Sequence, residues 1–157
     1  SDESIQFDAT VKIALLIANS KYDQVRASYK PEYKGVPQAL DDIKVMSRLC
    51  HDLNFDKVIE AVDHGFSDAK KALKLVMDEM KRLTLAKTAA QAPSVGYYAG
   101  HGSIKTTQRI MLNESNPLER YLGIEKTLYN YSRYKNTYIF PIFDCCREVI
   151  DEKQELE

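Results

Sequence analysis

Four short runs of apolar, β-branched and aromatic residues punctuate the chain: Val11 to Ala18, Lys57 to Val62, Ser94 to Ala99 and Thr137 to Phe143. Each has the length and composition of a β-strand. The first and last are apolar nearly throughout rather than alternating, the pattern of a strand covered on both faces, which favours a parallel sheet. Between the runs the period changes. Ala39, Ile43, Met46, Cys50 and Leu53 recur every three or four positions and predict one buried helix face of about four turns. Ser67 fits the N-cap of a second helix whose apolar stripe is Ala69, Ala72, Leu73, Val76, Met80 and Leu83. A shorter third helix is expected from about Ile124 to Tyr134, with Leu128 and Tyr131 inward. Strands and helices alternate as βαβαβαβ, so the expected fold is an α/β three-layer sandwich, a mainly parallel sheet with helices on both faces.

Two connections are long for such a fold. Asn19 to Pro37 joins the first strand to the first helix, and Gly100 to Leu122 follows the third strand, with Gln108 to Asn113 a possible hairpin arm. Both leave the carboxyl ends of parallel strands, where α/β folds carry their sites. The polar ends, Ser1 to Asp8 and Asp151 to Glu157, are expected to fray, leaving one domain with an ordered core over about 11–147.

Composition narrows the setting. The 157 residues are 44% hydrophobic and 29% charged, enough to bury a core without metal or disulfide staples. Three cysteines cannot all pair, which suits a reducing, cytoplasmic compartment. Lys and Arg number 22 against 23 acids, so no overall positive field attracts nucleic acid or an anionic membrane. The apolar run Ile13 to Ala18 is too short to span a bilayer. His51 and His64 have no second ligand at metal-binding spacing, Cys50 fits the buried helix stripe, and no acidic loop has calcium spacing. No metal or other cofactor is expected.

The chemistry concentrates at the ends of the third and fourth strands, in Tyr97-Tyr-Ala-Gly-His101-Gly102 and Asp144-Cys-Cys146-Arg147. A histidine between glycines can expose its imidazole beside backbone N–H groups, and a cysteine beyond the neighbouring strand can supply a thiolate. Alone, each has a plain reading as a turn residue or a small core residue. Together they stand 45 positions apart, near the roughly 50 by which histidine precedes cysteine in caspases. With Lys12-Ile-Ala-Leu-Leu-Ile-Ala-Asn19 and Leu40-Asp-Asp42 added, nearly the whole chain resembles the caspase-like cysteine proteases. Asp144-Cys-Cys146-Arg147, without a following glycine, is most similar to the paracaspase form.

The resemblance implies a cysteine endopeptidase with Cys146 as nucleophile and His101 as its acid–base partner. The backbone N–H groups of Gly102 and Cys146 would form the oxyanion hole, and Cys145 would face the other way along the strand. It also implies that Asp42 and Asp144 line the pocket for the residue before the cleaved bond. Two carboxylates there favour Arg, with Lys weaker. Asp42 and Asp41 also suit a helix N-terminus on dipole grounds. A complete domain of this family has two further strands after the cysteine, whereas Glu148 to Glu157 is charged and unfit for a central strand. The chain is therefore expected to be the large-subunit portion, inactive alone, and to need a small-subunit segment or self-association along the fourth strand. Two alternatives remain: a caspase-like scaffold that assembles signalling complexes without cleaving, and cleavage after Asp, which would require Arg26 in the pocket.

Overall fold

The computed structural model describes residues 11–86, 92–104, 107–132, 137–145 and 148–149. Its main sheet is built from β1 (Ile13–Ala18), β2 (Lys57–Val62), β3 (Ala92–Ala99) and β7 (Thr137–Asp144), parallel throughout in the order β2-β1-β3-β7. The four apolar runs are these strands, with the first beginning two residues later, the third beginning two residues earlier and the fourth ending one later than expected.

Every residue of β1 is buried, because each face meets helices. Ala14, Leu16 and Ala18 pack against Ala39, Ile43 and Cys50 of α2 (Gln38–Asp52). Ile13, Leu15 and Ile17 pack on the opposite face against Ala69, Leu73, Val76 and Met80 of α3 (Phe66–Ala86) and Ile124 and Leu128 of α4 (Ile124–Ser132). Burial of that many aliphatic side chains, about 1.5–3 kcal/mol each, is the main force holding the layers together. The molecule is thus an α/β fold with a parallel four-stranded sheet and helices on both of its faces.

Four details correct the expectations. Leu53 is not on the buried stripe: α2 ends before it and its side chain is 52% exposed at the C-cap. Ser67 is not an N-cap, because α3 already starts at Phe66, whose N–H donates at 2.9 Å to Oε1 of Glu114, 48 residues away. The first long connection contains a short helix, α1 (Asp23–Ser28), anchored by the buried Val25. The second connection is more than a hairpin. It forms a small sheet of β4 (Gly102–Ile104), β5 (Gln108–Met111) and β6 (Tyr121–Leu122), with β8 (Glu148–Val149) parallel to β4 at its edge. Part of the charged tail thus serves as an edge strand.

The chain passes between the sheets twice, from β3 to β4 at Gly100 and His101, and between the end of β7 at Asp144 and the start of β8 at Glu148. The side chains of Leu83 and Tyr131, the ends at 1–8 and 151–157, and Cys146 and Arg147 lie outside the described residues. No described helix is long and apolar enough to cross a membrane.

Candidate functional site

β3 and β7 are neighbours in register, with Ala99 opposite Asp144. His101 follows two residues after the first and Cys146 two after the second, so the sequence positions singled out above leave the same end of two adjacent strands. The position of Cys146 itself falls outside the described residues.

His101 is held on all sides. Its N–H donates to the Tyr22 hydroxyl at 2.8 Å, and the Tyr98 hydroxyl donates to its carbonyl at 2.7 Å. The same carbonyl accepts from Met111 N–H at 2.9 Å. The imidazole lies edge-on to Tyr22 and Tyr33, at centroid distances of 4.5 and 5.3 Å. Its Nε2 is 2.8 Å from the Lys34 carbonyl. A carbonyl can only accept, so Nε2 carries the proton, and in the neutral ring Nδ1 is the nitrogen left basic. The loop before α2 thereby fixes both the tautomer and the ring plane.

The hydroxyls of Tyr22 and Tyr98 are 3.1 Å apart, and Asn19 Nδ2 donates to the Met111 carbonyl at 3.0 Å beside them. Burial pushes the Tyr22 phenol up to about 12, with bonds from Tyr98 and His101 opposing it. Burial also raises Tyr98 well above its ordinary value. These two tyrosines are polar supports of His101. A buried tyrosine hydroxyl needs a partner, and which group supplies it is decided only by folding.

The glycines flanking His101 are required by space. Gly100 has φ +150°, and a Cβ there would run into the hydroxyls of Tyr98 and Tyr22. A Cβ on Gly102 would meet the Arg109 carbonyl at 2.8 Å and Cys145 Sγ at 2.9 Å. Cys145 packs against the core cluster that contains Tyr98, while Tyr97 lies in the cluster on the α2 face.

On that α2 face, the Tyr97 hydroxyl donates to Asp144 Oδ2 at 3.2 Å. Burial, then the carboxylates of Asp144 and Asp42, push the Tyr97 phenol up to about 12. Asp42, on α2, also accepts from Gln38 Nε2 at 3.4 Å. The two acids singled out from sequence therefore act on one hydroxyl beside the strand ends. Asp144 is exposed and Asp42 half-buried, so both can meet a solvated ligand. Arg26 is on α1, exposed, and donates to the Tyr33 carbonyl at 3.2 Å. His51 lies on α2, and His64 Nδ1 is 3.2 Å from the Val62 carbonyl. No family model matches the chain, and no curated protein matches it in sequence.

Proposed function

We propose that the chain is the dyad-bearing part of a cysteine endopeptidase of the caspase-like, paracaspase type, which cleaves after Arg. The observation that carries the reading is the Ala99–Asp144 register, from which His101 and Cys146 follow at equal distance along adjacent parallel strands. The thiolate of Cys146 attacks the peptide carbonyl carbon, forming the C–S bond. His101, having taken the thiol proton at Nδ1, gives it to the amine as the C–N bond breaks; it then takes a proton from the water that attacks the thioester, and the C–S bond breaks to return the Cys146 thiolate and the free acid. Backbone N–H groups of Gly102 and Cys146 hold the oxyanion, an effect of about a hundredfold or more in such enzymes. Asp42 and Asp144 receive the guanidinium of the substrate Arg.

The convergence of those two carboxylates on Tyr97 supports Arg over Asp at the cleaved bond. Arg26, which cleavage after Asp would need, is committed to the Tyr33 carbonyl. No metal or cofactor enters this chemistry. The expected compartment is the cytoplasm, and nucleic acid and membrane are not partners in this reading.

β7 is the outermost strand of the main sheet, with Ile142 47% exposed. Among the described residues no strand pairs with its outer edge, which in this reading takes the small-subunit segment or a second copy, and activity depends on that pairing. Peptides ending in Arg, Lys or Asp, supplied to the chain with and without sequence continuing past Glu157, test the reading. Turnover of the Arg peptides, abolished by Cys146→Ala and by His101→Ala, is expected from the longer chain. Cleavage after Asp, or turnover that survives Cys146→Ala, would overturn it.

A further inference from the structure

Arg120 carries a buried charge that no carboxylate among the described residues neutralises. It follows the 3-10 turn Pro117–Glu119, precedes β6 and is 3% exposed. Its carbonyl accepts from Leu112 N–H at 2.8 Å, which fixes the backbone. The guanidinium lies 4.0 Å from the centroid of the Tyr29 ring. Its Nε is buried without a hydrogen-bond partner, and among the described residues no ion pair involves Arg120. Arginine does not escape by losing its proton. Contact with an aromatic ring only partly offsets the loss of water around a cation. A guanidinium flat on a ring keeps its N–H donors in its own plane, where a carboxylate or similar oxyanion can take two of them side by side.

The location gives the ligand. Tyr29 stacks on Tyr33 with centroids 6.1 Å apart and planes 13° from parallel, and Tyr33 touches the His101 imidazole. Arg120 therefore ends an aromatic row that begins at the candidate catalytic histidine. Lys30 Nζ, 5.1 Å from the Tyr29 centroid, adds positive charge there. The Asp42 and Asp144 carboxylates, by contrast, make the neighbourhood of Tyr97 negative.

We infer that Arg120 anchors an oxyanion subsite at the far end of the aromatic row from His101, and that it takes the carboxylate of an acidic side chain in the polypeptide bound at the candidate site. The identity of the ligand rests on the peptidase reading; the anion site does not. A substrate would then be recognised by two opposite charges, an Arg at the cleaved bond and an acid some residues away.

Two measurements on the whole chain test this. The first compares melting temperatures in chloride and in sulfate at equal ionic strength, for wild type, Arg120→Met and Arg120→Lys. Sulfate should raise the wild-type value beyond the general salting effect seen with Arg120→Met, and Arg120→Lys should show a reduced response. In chloride, Arg120→Met should melt at or above wild type, because an unpaired buried charge is replaced by an apolar side chain. Equal sulfate responses in wild type and Arg120→Met would overturn the anion site. Arg120→Lys keeps the charge and the stem, so it reports the loss of forked donors even if the Met variant fails to fold.

The second titrates acetylated peptides ending in Arg into Cys146→Ala protein, with a single Glu or Gln moved along the peptide. At one position Glu should bind about tenfold more tightly than Gln, and the difference should vanish in Arg120→Met. A sulfate response without any Glu preference would overturn the peptide carboxylate as ligand. Failure of every Arg peptide to bind would count against the peptidase reading, while a sulfate response that depends on Arg120 would still support the anion site.

Discussion

The Tyr22 hydroxyl accepts the backbone N–H of His101 at 2.8 Å, and the two rings meet edge to face. One fully buried residue of the first long connection thus holds both the backbone and the imidazole of a residue 79 positions away. Tyr22→Phe keeps the ring and removes the acceptor, leaving a buried N–H unpaired. A loss of about 1–3 kcal/mol is expected in urea denaturation. Unchanged stability would mean that the bond contributes nothing.

Alkali should unfold the protein through its buried phenols. Tyr22 and Tyr97 are raised from 10.0 to about 12, and burial raises Tyr98 well above its ordinary value. A folded-state value above the unfolded one means that the stabilisation is complete below pH 10 and is lost as pH rises through about 12. Phenolate absorbance should therefore rise in two stages, exposed tyrosines first and the buried ones together with the loss of circular dichroism. All ten tyrosines ionising at once in a folded chain would contradict this. Asp144→Asn, which removes one of the carboxylates opposing ionisation of Tyr97, should lower the pH at which that phenol titrates.

Alanine at Gly102 must displace backbone as well as side chains, because the Arg109 carbonyl is among the atoms in the way. A cost of about 2–3 kcal/mol is expected. Gly123, with nothing within 4 Å of an added Cβ, provides the control. Its position just before α4 limits the effect of alanine to about 1 kcal/mol. Chemical denaturation of the two variants checks the contrast, and equal losses would refute the crowding at Gly102.

Glu114→Ala should fray the start of α3. The carboxylate accepts Phe66 N–H at a helix terminus where negative charge is favoured. About 1 kcal/mol of stability is at stake, with Glu114→Gln retaining part of it. Hydrogen exchange of the first α3 amides locates the effect, and exchange unchanged in Glu114→Ala would rule out the cap.

The main sheet was legible because its strands are continuous apolar runs, and α2 and α3 because their stripes last for several turns. The shorter pieces were not. α1 offers only Val25 to the core, too little periodicity in six residues to signal a helix. β4, β6 and β8 are two or three residues long, and their pairing is set by partners distant in sequence. The cap at Phe66 comes from 48 residues away, beyond the reach of any local motif. At the site, the residue types of His101, Asp42 and Asp144 were readable from the motifs. Their supports were not: Lys34 acts through its carbonyl, which every residue has, and Tyr22 through a contact made by folding.

The chain changes sheets at two neighbouring places, at Gly100–His101 and again after Asp144. A tilt of the small sheet pulls on both crossings at once, because β4 and β8 are hydrogen-bonded to each other as β3 and β7 are. Lys34 belongs to neither crossing, so its carbonyl ties the imidazole to a third segment of the chain. The orientation of the imidazole and the spacing of the two strand ends are therefore set by different parts of the chain, the first by the loop before α2 and the second by the paired sheets.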